Sequence, residues 1–257
     1  MIVIDKLCYY SKLRYVNAGE KFAYAMATLI FCLVSRSIAI ALLVLAVNGI
    51  LNVKTGGIPL SRYKTLMAVP LAFLFLSTIA IIINISKTPL DAFAIPVGSY
   101  YITGSHSSIL YGVQLILTAL ASVSCLYFLS LNTPMTDIIL VLHRLHCPLL
   151  LQELMLLIYR FIFVLLDIAS AITTSQNSRL GNKDYKTSIK SFGSMISVLF
   201  IRAMKKSNAL YDAMEARCYD GTIRVLTENY PPKKKEIIYI ILFELLLLAA
   251  AIWRRFL

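Results

Sequence analysis

Charge is scarce in this chain of 257 residues: Asp, Glu, Lys and Arg together make up 15%, against roughly 25% in a soluble domain. With an apolar fraction of 59% and a mean hydropathy of +0.76, that shortage argues against a soluble fold. Acidic residues number 13 against 25 basic ones, a formal charge of +12. In so apolar a chain the excess reads as loop topology and as contact with anionic lipid or an acidic partner, not as a nucleic-acid surface. Five cysteines (Cys8, Cys32, Cys125, Cys147, Cys218) are scattered without CxxC spacing, which supports neither a disulfide framework nor a thiolate metal site. No GxxxxGK[ST] phosphate loop occurs, so any ATP that drives the protein is bound by another subunit. There is no Ser-His-Asp, Cys-His-Asn or paired-carboxylate arrangement, which leaves an enzyme without machinery and a cofactor without a cradle. A cleavable leader is not expected either. Asp5, Lys6, Lys12, Arg14, Glu20 and Lys21 precede the first long apolar run, so the first span itself directs insertion.

What is present is a series of apolar blocks. A helix crossing about 30 Å of hydrocarbon needs roughly 20 residues. Residues 22–53 exceed that and are interrupted at Ser35-Arg36-Ser37. Two short crossings, 22–35 and 37–53, fit best; the alternative is one long tilted helix with Arg36 snorkelling to the interface. Further crossings are expected over 63–85, with Pro70 as a tolerated kink, over 107–130, and over 237–253 after the Pro231-Pro232 stop. The loop 86–106 is nearly uncharged, whereas 54–64 and the segment 131–236 are rich in Lys and Arg. The positive-inside rule places the N-terminus, the 54–64 loop and that segment in the cytoplasm and the C-terminus outside. The expected fold is an all-α integral membrane protein: a cytoplasmic segment 1–21, four transmembrane helices in 22–130, an inserted module of long amphipathic helices in 131–236, and a last transmembrane helix in 237–257.

The insert is unusual. From Pro148 onward apolar residues recur at helical spacing, but Gln152, Glu153, Arg160 and Asp167 interrupt them too often for a bilayer span. That predicts a helix of about thirty residues ending at Arg179-Leu180-Gly181, with Gly181 in the left-handed closing position. A second long helix is expected from Asp184 as N-cap. It presents Ile189, Phe192, Ile196, Leu199, Ala203, Leu210 and Met214 as one stripe and ends at the glycine-stopped run Ala213–Gly221. A cation in the last turn gains about 0.3–1 kcal/mol from the helix dipole, which is reason enough for one such arginine. Two of them, Arg179 and Arg217, at the tips of the two longest polar helices, point to docking in an acidic groove, because arginine binds carboxylates bidentately.

Other constellations read blandly. His143, His146 and Cys147 have metal-ligand character, but no fourth ligand is near and Pro148 ends the helix, so packing and capping is the expected role. Within the spans the polar residues are mainly Asn48, Asn84, Gln114 and Glu244. Glu244 is the one candidate for an ion relay, with hydrogen bonding to a neighbouring helix as its ordinary role. Ala119, Ala121 and Ser122 allow close helix packing.

Thr133-Pro134, Leu142-x-x-Leu145-x-x-Pro148, Glu153-Leu-Met155 and Tyr159-Arg160-Phe161 together resemble the run found in the transmembrane T component of energy-coupling-factor transporters. Ser178-Arg179-Leu180 and Ala216-Arg217-Cys218 are similar to that family's two Ala-Arg-Gly motifs. The string Ala213–Gly221 looks most like the cobalt/nickel branch, the CbiQ type. The motifs cover residues 130–225, and the span layout extends the likeness over the chain. The resemblance implies a multi-pass subunit of the plasma (inner) membrane, without catalysis or cofactor. Its implied partners are two ATP-binding cassette ATPases and a substrate-capturing membrane subunit that binds the metal. Arg179 and Arg217, flanked by Ser178, Leu180, Ala216 and Cys218, would contact the ATPases. Ser178 and Leu180 depart from the first motif, which leaves its geometry open, and another substrate is the alternative within the family. A stand-alone secondary transporter working through Glu244 is the alternative outside it.

Overall fold

The computed structural model describes residues 3–82, 84–86, 93–97, 100–221, 223 and 230–256. These form two compact units, one built from residues 2–134 with 229–257 and the other from residues 135–228.

The first unit contains α1 (Val3–Tyr10), a 3-10 turn (Lys12–Tyr15), α2 (Ala18–Ser35), α3 (Ile38–Ile50) continued by a π-helical turn (Leu51–Thr55), α4 (Leu60–Ile82) and α5 (His106–Asn132). The last helix of the chain, Lys234–Phe256, also belongs here. Asn17 caps α2 by accepting from the Gly19 N–H at 2.8 Å. Two crossings, not one, occupy residues 18–55, because Arg36 takes left-handed angles (φ 42, ψ 42) that no helix can pass through. The Gln114 side-chain amide of α5 donates to the Arg36 carbonyl, giving an exposed backbone acceptor at the break a partner.

α5 packs against α2, α3 and α4. Cys32, Ala41, Val44, Ala121, Cys125 and Leu247 are buried together around it, so the small Ala121 lies in the core. Polar groups tie the helices as well. The Tyr24 hydroxyl donates to Asn48 Oδ1 at 2.9 Å, and Asn48 Nδ2 donates to Ser124 Oγ at 3.0 Å. Ser11 donates to Asn132 Oδ1 at 2.6 Å, Asn132 Nδ2 to Asn52 Oδ1 at 2.7 Å, and Lys21 Nζ to the Asn132 carbonyl at 2.8 Å. Such bonds hold where lipid offers no alternative partner. On α4, Val69, Phe73, Phe75 and Leu76 are exposed, as befits a face toward lipid.

Two sequence expectations change here. α4 stops at Ile82 instead of reaching Ile85, and Asn84–Ser86 is strand β1. The stretch expected to be only a loop carries a three-stranded antiparallel sheet in the order β1-β3-β2, with β2 at Phe93–Val97 and β3 at Tyr100–Gly104. The physical reason is the alternation of Phe93, Ile95, Tyr101 and similar residues, which suit a pleated surface. Pro96 falls on β2, an edge strand, where its missing N–H does no harm.

The second unit holds α6 (Met135–Arg144), α7 (Leu149–Ser178) and α8 (Tyr185–Glu215); the last helix, Lys234–Phe256, is then α9. Among the described residues five helices are long and apolar enough to cross a membrane: Ala18–Ser35, Ile38–Thr55, Leu60–Ile82, His106–Asn132 and α7. This makes the protein a helical, multi-pass membrane protein. The presence of α7 in that set differs from the sequence reading, which excluded it. Gln152 and Glu153 fall within its first five residues, so the long remainder carries only Arg160 and Asp167 as ionised groups. The crossing expected over 237–253 lies within α9, which is not in that set.

Candidate functional site

Both arginine tips are built by the same cap. At the end of α7, the Gly181 N–H donates to the Gln176 carbonyl at 2.7 Å and the Leu180 N–H to the Asn177 carbonyl at 3.1 Å. At the end of α8, the Tyr219 N–H donates to Met214 at 3.1 Å and the Cys218 N–H to Glu215 at 2.9 Å. Each pair of crossed bonds is a Schellman closure around one left-handed residue. Those residues are Leu180 (φ 55) and Cys218 (φ 56), so Arg179 and Arg217 hold equivalent places, each just before the reversal. The left-handed role expected of Gly181 falls on Leu180. Gly181 is constrained for a different reason: a Cβ there would lie 2.9 Å from the Gln176 carbonyl oxygen and 3.0 Å from Ser191 Oγ. Asp184 does sit at the N-cap of α8, but its side chain makes no capping bond.

The tips are braced by residues that sequence reasoning passed over. At the first, Gln176 Nε2 donates to the Ser191 carbonyl at 2.8 Å and Ser191 Oγ donates to the Gly181 carbonyl at 2.7 Å, joining the end of α7 to the start of α8. Ser178 Oγ donates to the Thr174 carbonyl at 3.0 Å. At the second, the buried Glu153 of α7 accepts from the Tyr219 hydroxyl at 2.7 Å and from the Ile223 N–H at 2.8 Å. Donation to that carboxylate holds the Tyr219 phenol above its usual range, since a phenolate there would face the Glu153 charge. α7 and α8 are therefore antiparallel, fastened at both ends. The polar signal of Glu153 was visible in the sequence as an interruption of an apolar face; the donors it serves, some seventy residues away, were not.

Ser178, Arg179, Leu180, Ala216, Arg217 and Cys218 are all exposed. Arg217 also lines, with Arg160 and Lys206, a pocket of about 300 Å³ between α7 and α8 whose walls include Phe161, Leu210 and Ala213. Three cations line it and no acidic residue does. Its chemistry suits an anionic group that brings some apolar surface.

The histidine cluster takes up structural contacts. His143 Nδ1 lies 3.1 Å from Gln152 Oε1, and Gln152 Nε2 donates to the Cys147 carbonyl at 2.6 Å. His146 is itself left-handed (φ 60) and closes α6 with a Schellman pair, its N–H to His143 and that of Cys147 to Leu142. Among the described residues no three His, Cys, Asp or Glu side chains come together as a metal site. In the first unit, Glu244 is half-buried, and its Oε1 has no hydrogen-bond partner among the described residues. Asn84 lies in β1, and its side chain is outside the described residues.

Sequence comparison places the chain among known proteins. Residues 11–229 match the family described as CbiQ, cobalt transport protein. The chain belongs to the CbiQ family. It is 30% identical to the cobalt transport protein CbiQ of Salmonella typhimurium, over 86% of this chain and 98% of that protein. It is also 30% identical to a putative fused cobalt transport protein CbiMQ of Methanocorpusculum labreanum, over 88% of this chain but only 38% of that longer protein. Similarity reaches the energy-coupling factor transporter transmembrane protein EcfT of Staphylococcus aureus, at 31% identity over 48% of this chain and 50% of that one. The resemblance to T components of energy-coupling-factor transporters, CbiQ type, therefore holds, and with it the reading of this chain as a membrane-embedded transport component.

Proposed function

We propose that this chain is the transmembrane coupling subunit of an ATP-driven importer of cobalt or nickel ions. Arg179 and Arg217 each dock in an acidic groove of one of two ATP-binding cassette ATPases. The observation that carries this reading is the identical cap at both tips, which presents two arginines in the same local geometry at the ends of fastened helices. The cationic pocket around Arg217 supports it, since a carboxylate with apolar neighbours would complete it. The ion is cargo held by a separate membrane subunit, and the fused CbiMQ relative favours such a partner. This chain is not catalytic and resides in the plasma membrane.

In this reading residues 22–130 and 237–257 form the membrane portion and residues 131–236 the cytoplasmic coupling module. α8 carries Lys186, Lys190, Arg202, Lys205 and Lys206, too many charges to enter hydrocarbon. α7 is bonded to α8 and its C-terminal extension at both ends, so it lies at the same interfacial level despite its span-like composition. At 1.5 Å per residue the 31 residues of α8 make a strut of about 46 Å. Closure of the ATPases on ATP draws the two tips together, and the struts slide beneath the substrate subunit to release its ion inward.

The test is co-purification with the ATPase and metal-binding subunits, followed by ATP-dependent uptake of both metals in vesicles. Arg179→Glu and Arg217→Glu should each abolish uptake and weaken ATPase association, whereas Arg→Lys at either tip should retain part of both. Intact association and uptake in both Glu variants would sink the proposal. The unpartnered oxygen of Glu244 favours one rival, a stand-alone secondary transporter. It requires uptake by the purified chain alone, abolished by Glu244→Gln.

A further inference from the structure

In the first unit, α2 and α9 begin where α3 and α5 end. Between these ends lies a pocket of about 440 Å³, walled mainly by apolar groups such as Val47, Leu51, Phe128, Ile240 and Phe243. Its carboxyl and amino lining residues are Glu20, Lys21 and Glu236. Lys21 is committed, with its ammonium donating to the Leu13 and Asn132 carbonyls at 3.1 and 2.8 Å. Glu20 is different. It keeps only 9% of its surface, and neither carboxylate oxygen makes a hydrogen bond of full geometry among the described residues. Its polar neighbours are the Glu236 carboxyl and the backbone N–H of Lys233, the residue before α9, while the Glu236 side chain keeps 30% of its surface and lies 3.6 Å from the Lys233 ammonium. A buried acid beside a second acid is costly unless a shared proton or a cation joins them, and a cation leaves both carboxylates ionised.

The arrangement has a direction. Tyr24 stands one helical turn deeper than Glu20 on α2, and Phe243 stands two turns deeper than Glu236 on α9. The carboxylates thus mark the mouth, and the aromatic and aliphatic walls run toward the hydrocarbon level. Among the described residues no third His, Cys, Asp or Glu joins the pair, so the donor set of a metal site is missing. The complementary ligand is an amphiphile with a positive, hydrogen-bond-donating head. At about 30 Å³ per water-sized group, the volume admits on the order of fifteen such groups.

We propose that this pocket binds an aminophospholipid, its primary ammonium on Glu20 and Glu236 and part of one acyl chain along Tyr24, Phe128 and Phe243. The lysines at 233–235 are adjacent in sequence and supply countercharge for the phosphate. A primary ammonium donates hydrogen bonds to both carboxylates, whereas a trimethylammonium donates none.

The full chain is reconstituted in vesicles of phosphatidylethanolamine, phosphatidylcholine and phosphatidylglycerol in equal parts and extracted in mild detergent. Retained lipid is then counted by native mass spectrometry. Phosphatidylethanolamine should be enriched about tenfold over each of the others, the worth of one charge-assisted hydrogen bond. Glu20→Gln should remove most of that enrichment. Glu236→Gln, at the less buried of the two positions, should reduce it in step and decides the matter if Glu20→Gln does not fold. Equal retention of the three lipids, enrichment that survives Glu236→Gln, or a bound polypeptide in place of lipid each overturns the assignment.

Discussion

Leu180→Gly and Cys218→Gly probe the arginine tips through the backbone alone. Leu180 is 70% exposed and Cys218 is exposed, so removing either side chain forfeits little burial. Each residue is left-handed, which costs an L-residue roughly 1–2 kcal/mol. Glycine escapes that cost but has more freedom to lose on folding, roughly 0.5–1 kcal/mol. The balance is a gain of about 1 kcal/mol at each tip, a factor of about five in the local opening equilibrium. The Gly181 and Tyr219 amides report it directly, because they donate the crossed bonds to Gln176 and Met214. Hydrogen exchange at each amide should slow about fivefold in the matching variant. With the whole of α8 between the tips, the two effects should add. Leu180→Val should act oppositely, since a β-branched side chain fits a positive φ worse. Unchanged or faster exchange at Gly181 in Leu180→Gly would refute the left-handed cap and with it the equivalence of the tips.

Four further outcomes follow from named contacts. A Cβ at Gly112 would lie 2.7 Å from Thr78 Cγ2, so Gly112→Ala should cost about 1–3 kcal/mol by overpacking, and Thr78→Ser should restore most of the lost thermal stability; a melting curve without that rescue refutes the contact. Because the Tyr219 phenol is raised on folding, its bond to Glu153 is complete below the ordinary phenol value of about 10 and is lost as pH climbs through the raised value; spectrophotometric titration should show Glu153→Gln returning the phenol toward 10, and an unmoved titration rules that partner out. Glu153→Gln should also speed exchange of the Ile223 amide, which donates to Glu153, while leaving Gly181 unchanged. Cys218 is exposed whereas Cys8, Cys32 and Cys125 are buried, so a maleimide should label Cys218 far faster than those three, and bound ATPases should protect it if the Arg217 tip docks as proposed.

Much of the helical layout was legible because lipid demands it. Apolar blocks of fixed length, the break at Arg36 and the ends of α7 and α8 all follow from local chemistry that one helix carries by itself. The small sheet was less legible, because β1, β2 and β3 are short and gain their stability from pairing across the 84–104 stretch. In α7 the roles of the polar residues were hidden for a related reason. Its polar residues counted against a span, yet Gln152 and Glu153 lie at its start and serve neighbours that only folding brings near.

The site divides in the same way. The sequence by itself determined that two arginines end two long helices, since helix period and stop signals are local. It also determined membrane residence, because hydropathy sums over residues without regard to partners. Only the tertiary structure decided that Leu180 and Cys218, not Gly181, take the left-handed positions. It alone joined Glu153 to Tyr219 and Ile223 and set the buried Glu20 against Glu236. The caps turn on which backbone groups meet within five residues; the carboxylate contacts depend on groups that meet across tens to hundreds, and a buried polar atom's energy is set by the neighbour it finds, not by its place in the chain.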